Sequence, residues 1–127
     1  MEWTTLIDVA HDADITVADE NTTSGTRAVA IQLKDYAGND MKVSSTIMAY
    51  IAADAAGAAI CTTAFDGIAN GTDGEVIELT TGSVMLLTSE ADGDIDITIS
   101  ESEAITGYLI LVMPNGKLVG GDDVSLA

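Results

Sequence analysis

In Asp94 to Ser100 every second residue is isoleucine: Ile95, Ile97 and Ile99 fall on one side of an extended chain, with Asp94, Asp96 and Thr98 on the other. A period of two is the signature of a strand with one face buried and one face wet. Arg27 to Lys34 repeats the pattern, with Val29, Ile31 and Leu33 opposed to Ala28, Ala30, Gln32 and Lys34. No helix satisfies that spacing, so the chain is bound to build sheets.

The remaining stretches agree. Leu6 to Ala10 and Ile15 to Ala18 are short apolar runs separated by the acidic knot His11-Asp12-Ala13-Asp14, and read as two short strands and a loop. Asp35-Tyr36-Ala37-Gly38-Asn39-Asp40 supplies turn residues, after which Met41, Val43 and Ile47 resume the alternation, as in a hairpin. Within Met48 to Ala64, the seven alanines from Ala49 to Ala59 would suit a helix. Gly57 interrupts them, Asp54-Ala55-Ala56-Gly57 fits a type I turn, and the flanks carry β-branched and aromatic residues, so strand, turn, strand is expected.

Asp66 to Gly74 is rich in glycine and reads as a long loop. Strands then recur at Glu75 to Thr80, Val84 to Thr88 and Asp94 to Ser100. Tyr108 to Met113 is continuously apolar and reads as a central strand, with Pro114-Asn115-Gly116-Lys117 turning into a return strand at Leu118. Eight to ten short strands without a helix predict an all-β fold: a single antiparallel β-sandwich, Ig-like or jelly-roll-like. At 127 residues one domain is expected, with residues 1 to 14 as an N-terminal arm or edge strand and residues 15 to 127 as the sandwich.

Charge limits what such a sandwich can do. Twenty-one carboxylates face four Lys and Arg residues, a formal net charge of −17. Val43 to Gly116 contains no Lys or Arg at all, yet it holds eleven carboxylates. These cannot be satisfied internally by ion pairs, so a close partner is expected to supply cations, either as basic residues or as metal ions. Nucleic acid and anionic membranes are disfavoured partners, because both are bound through Lys and Arg. No run reaches the length of a membrane span. The opening Met-Glu-Trp-Thr-Thr-Leu-Ile-Asp lacks a basic segment and a long apolar core, so no secretory signal is expected.

Chemistry-bearing constellations are sparse. Glu90-Ala91-Asp92-Gly93-Asp94-Ile95-Asp96 has the alternate aspartates of a calcium loop, and Glu103 sits where a bidentate glutamate would. The position that must be glycine is Ile97, so Asp92 and Asp94 remain only weak candidates for Ca²⁺ or Mg²⁺. His11 is the sole histidine and has no nucleophile or soft ligand to work with. Cys61 is the sole cysteine and reads as a buried, inert thiol. Neither a cofactor nor an enzymatic activity is expected. Trp3, Leu6 and Ile7 form a short apolar stretch ahead of the better-patterned domain, and are the weak candidates for a partner-binding arm.

The second half carries a recognisable string: Ala55-Ala56-Gly57-Ala58-Ala59, Gly67 to Gly74, Leu87 to Ile99 with its Glu-Ala-Asp-Gly-Asp turn, and Tyr108 to Lys117 ending in Leu-Val-Met-Pro-Asn-Gly-Lys. Over roughly residues 45 to 120 it resembles a β-sandwich (Ig-like) module that recurs in structural proteins of tailed bacteriophages, such as capsid decoration, tail and neck proteins. The resemblance implies a virion structural protein at the outer surface of head or tail, assembled in the host cytoplasm. Small size and the lack of a fibrous segment favour, among these roles, a decoration or cement protein that bridges subunits of the major capsid protein; the resemblance to such proteins implies a homo-oligomer, with a trimer leading. The alternatives are a tail, neck or head-fibre component, and an acidic β-sandwich that binds carbohydrate or a host surface. The latter would be expected to expose several aromatic side chains, and the chain has five in all.

Overall fold

The computed structural model describes residues 9–126. Nine strands follow one another: β1 Asp12–Val17, β2 Thr26–Lys34, β3 Thr46–Ala52, β4 Gly67–Asn70, β5 Glu75–Thr80, β6 Val84–Thr88, β7 Asp94–Ser100, β8 Tyr108–Val112 and β9 Leu118–Asp123. They form two antiparallel sheets, one of four strands in the order β1-β2-β7-β4 and one of five in the order β5-β6-β3-β8-β9. The all-β sandwich expected from the alternation is therefore the fold.

The core lies where the alternating side chains of the two sheets meet. Val29, Ile31 and Leu33 of β2 and Ile95, Ile97 and Ile99 of β7 come from the four-stranded sheet. Ile47, Ala49 and Ile51 of β3, Met85 and Leu87 of β6, and Leu109 and Leu111 of β8 come from the other. Register explains why the isoleucines stack: Val29 pairs with Ile97 and Ile31 with Ile95 across β2 and β7. Met41, Phe65, Met113, Val124 and Leu126 close the ends of this layer.

The sandwich is held shut along both sides. On one, Lys117 reaches Asp12 at 3.6 Å, joining the β8–β9 turn to β1. On the other, Glu78 of β5 accepts hydrogen bonds from the backbone N–H of Ile68 in β4 at 3.2 Å and of Gly82 at 2.6 Å. Gly82 itself has a positive φ of 67°, and a Cβ there would lie 1.8 Å from the carbonyl oxygen of Phe65. Only glycine lets the β5–β6 turn approach that backbone. Arg27 pins the C-terminal segment, donating from Nε at 3.1 Å and Nη2 at 2.8 Å to the carbonyl of Ser125 and from Nη1 at 3.0 Å to that of Ala18.

Several local expectations are corrected. The acidic knot at His11 to Asp14 is not a loop, since Asp12, Ala13 and Asp14 belong to β1 and pair with Lys34, Leu33 and Gln32. Its carboxylates face outward, which an edge strand permits. The turn after Lys34 does fold back, with Met41 N–H bonding Leu33 O at 3.0 Å, but pairing stops after the Lys34–Asp40 bridge and the chain crosses to the other sheet. The turn at Asp54–Gly57 forms as expected, with Gly57 N–H on Asp54 O at 3.1 Å. Its return strand shrinks to a single bridge, Ala52 to Ile60. The first part of the expected loop Asp66 to Gly74 is the short edge strand β4, paired with β7.

The arm expected at residues 1 to 14 lies mostly outside the described residues, as do Trp3, Leu6 and Ile7. The described part begins at Val9, with Ala10 fully buried and His11 N–H bonded to Lys34 O at 2.9 Å.

Because Leu111 is fully buried between the sheets, Leu111→Ala is expected to lower the unfolding free energy by about 2–5 kcal/mol. Urea denaturation measures this, and a loss below about 1 kcal/mol contradicts the placement of that side chain in the core.

Candidate functional site

The two outer faces of the sandwich differ in kind. On the four-stranded sheet, register sets Asp14, Gln32 and Asp94 in one row, and Thr16, Ala30 and Asp96 in the next. The aspartates of β1 and β7 face outward because the isoleucines and valines between them face in. Beyond this row Ala28 and Thr98 are paired and the side chains become small, forming a shallow concavity lined by Thr16, Ala28, Ala30, Thr98 and Thr72 with Asp96 at its acidic side.

The turn Glu90–Gly93 and the loop around Asp73 extend the acidic edge. Asp96 accepts a hydrogen bond from the Thr72 hydroxyl at 2.6 Å, and its N–H bonds the carbonyl of Asp73 at 2.8 Å. Asp92 Oδ1 accepts the N–H of Asp94 at 3.2 Å, and Gln32 Nε2 donates to the carbonyl of Asp92 at 2.8 Å. Five carboxylates, from Asp73, Glu90, Asp92, Asp94 and Asp96, thus share one corner. Lys34 pairs with Asp40 and, at 3.6 Å, with Asp14, while Lys117 is spent on Asp12. Among the described residues no Lys or Arg ion pair reaches any of the five.

Electrostatics registers that imbalance. Asp94 has its pKa raised first by desolvation and then by the neighbouring charges of Asp92, Asp96, Asp40 and Glu90. Asp73 is raised by desolvation first, then by the charges of Asp96, Asp94 and Glu90, and by a side-chain hydrogen bond with Asp96. Asp123, on the other sheet, goes the opposite way because the hydroxyl and N–H of Ser125 hydrogen-bond its carboxylate and Arg27 stands nearby.

The candidate ligands Asp92 and Asp94 are neighbours in this corner. Among the described residues no group of three or more His, Cys, Asp or Glu side chains is arranged to hold a metal ion. His11 meets Tyr36 edge-on with ring centroids 5.1 Å apart. Cys61 is half-buried rather than fully so; its thiol donates to the carbonyls of Ala52 at 3.1 Å and Thr106 at 3.4 Å, and burial pushes its pKa up.

The five-stranded sheet shows a contrasting exterior. Its central strands β6, β3 and β8 contain no charged residue on either face. Register aligns one outward side chain from each strand into a single row: Ile77, Leu86, Met48, Val112 and Leu118. Ile77 is 59 % exposed, Leu118 48 % and Met48 43 %, with Leu79 beside them at 52 %. At one end the turn Asp54–Gly57 folds over this face, accepting a 2.6 Å hydrogen bond from Tyr50 Oη at the carbonyl of Gly57 and burying Ile110. At the other, no described segment folds over the row. Sequence reasoning passed over these five residues, because each comes from a different strand and only the strand order puts them side by side.

No protein-family model matches the chain, and no curated protein matches it. Among solved structures it is similar to a cohesin module from a Clostridium perfringens ATCC13124 family 33 glycoside hydrolase, at 14% sequence identity and a TM-score of 0.44, covering 92% of this chain and 93% of that one.

A carboxylate with a raised pKa is destabilising once ionised, so the stability tied to Asp94 and Asp73 is present in acid and is lost as pH rises through their raised values. Asp94→Asn, which removes no side-chain hydrogen bond found in the structure, is therefore expected to raise Tm at neutral pH. The gain should shrink below about pH 4, the ordinary aspartate range, and at high salt. Thermal melts over that pH range check it; a lower Tm at neutral pH contradicts the crowding.

Proposed function

We propose that this chain is a structural protein of a tailed-bacteriophage virion, a decoration protein that binds the outside of the capsid and stabilises it by bridging adjacent capsid subunits. The observation that supports this reading is the crowded acidic corner of Asp73, Glu90, Asp92, Asp94 and Asp96, where exposed Lys42 lines a depression with Asp92 and Asp94 but, among the described residues, makes no ion pair with them, beside a sheet face that also presents Asp14. A surface whose carboxylates repel one another gains when a partner brings Lys or Arg, and that gain adds to the favourable free energy of seating. The likeness of its turns and strands to bacteriophage β-sandwich modules points to the same class of partner.

In this role the chain does no chemistry. Its rigidity and charge are its working parts: a short-stranded sandwich resists local opening, and a partner that binds only the assembled shell stabilises that shell by mass action, by about 2.7 kcal/mol per site at a hundredfold excess over Kd.

The test uses shells assembled from a tailed-bacteriophage major capsid protein of the same source as this chain. The protein is expected to co-sediment with expanded shells and to raise their melting temperature. Binding should weaken as salt increases, and Asp94→Asn combined with Asp96→Asn should reduce affinity by about tenfold. A protein that ignores capsids and co-purifies with tails contradicts the decoration role.

A further inference from the structure

We infer that the outer face of the five-stranded sheet is where two copies of this chain pair, sheet against sheet about a two-fold axis. Ile77, Leu86, Met48, Val112 and Leu118 cross all five strands in one register row, so the apolar stripe runs the full width of the sheet, about 20 Å at the usual strand spacing. Val84 and Leu79 widen it. With the rows on either side it covers about 500 Å² per copy, or about 1,000 Å² in a pair, which reaches the size at which specific interfaces begin. The row on one side, Glu75, Thr88 and Thr46, is polar, and on the other Ile110 is buried beneath the Asp54–Gly57 turn, so the apolar part of this footprint is the stripe with Leu79 and Val84, and exposed apolar stripes mark contact surfaces.

Charge selects the occupant. A cationic partner suits the acidic corner, but it finds no carboxylate to pair with on β6, β3 or β8, because those strands carry none. A second copy faces the opposite problem on the rest of the molecule. With a net charge of −17 each, two chains meeting through the other sheet would set Asp14, Asp94 and Asp96 against their equivalents. The centre of the five-stranded sheet is charge-free and the carboxylates of its outer face, Glu75 of β5 and Asp123 of β9, lie at the rim, so two such chains can approach with no carboxylate in the middle of the contact. Sheets stacked this way sit about 10 Å apart and interdigitate their side chains, as the two sheets within the domain already do. Like surfaces meeting like surfaces make an isologous pair, and the acidic corners of both copies stay free.

Sedimentation of the full chain across concentrations up to about 100 µM, at about 0.05 M and about 0.5 M salt, tests the inference. The wild-type chain is expected to form a dimer that salt strengthens, since screening relieves the repulsion between two acidic molecules. Met48→Glu with Leu86→Glu is expected to abolish the dimer. Met48→Thr with Leu86→Thr keeps strand-forming residues, guards against loss of fold, and is expected to weaken pairing by about tenfold or more; far-UV circular dichroism and melting confirm that each variant is folded. A wild-type chain that stays monomeric at high salt overturns the inference. So do a closed trimer, a dimer that salt dissolves, and a dimer that folded variants leave intact. None of these results depends on capsid binding, so this pairing and the proposed virion role stand or fall separately.

Discussion

Burial of one side chain in two, from both sheets into a shared layer, is the constraint on which everything else here rests. Ile31, Ile95, Ile97 and Ile99 on one side and Ile51, Leu87, Leu109 and Leu111 on the other are almost wholly removed from water. Each such side chain contributes roughly 1.5–3 kcal/mol of apolar transfer free energy. Because the inner positions are fixed by this requirement, the outer positions are fixed as well: a slip of one residue would turn Asp94 and Asp96 into the core and Ile95 out of it. The acidic exterior of β7 is thus the other half of the pattern that builds the core.

That coupling produces a molecule with unlike exteriors. The four-stranded sheet alternates apolar inward with acidic or small outward, and its carboxylates crowd one corner enough to raise the pKa of Asp94 and Asp73. The central strands of the five-stranded sheet carry no charge on either face. Ile110 spends its outward position beneath the Asp54–Gly57 turn, while Met48 does not, and it remains 43 % exposed. In the pair proposed above, the apolar faces would meet and the two acidic corners would be left at its ends.

Much of the fold could be read directly from residue order. β5, β6, β7 and β8 lie where period-two or continuous apolar patterns put them, because each signal is local and strong. The weaker readings share a cause. Asp12 and Asp14 looked like loop residues, yet on the outer face of an edge strand a carboxylate costs little, so β1 absorbs them. Gly67 and Asn70 looked like a loop because β4 is only four residues long and its partner, β7, lies far along the chain. The candidate site divides the same way. The acidic corner was visible as Glu90 to Asp96, whereas Asp73 joins it only through the fold. The row from Ile77 to Leu118 was hidden, since which strands share a sheet is a long-range property that no window of sequence contains.

The difference between the two exteriors can be measured on the wild-type chain by methyl NMR at high protein concentration with a neutral paramagnetic co-solute. The methyls of Met48 and Leu86 are expected to be shielded from broadening, and those of Ala28 and Ala30, on the opposite sheet, to be broadened strongly. Equal broadening of all four would contradict the assignment of the apolar row to a pairing face.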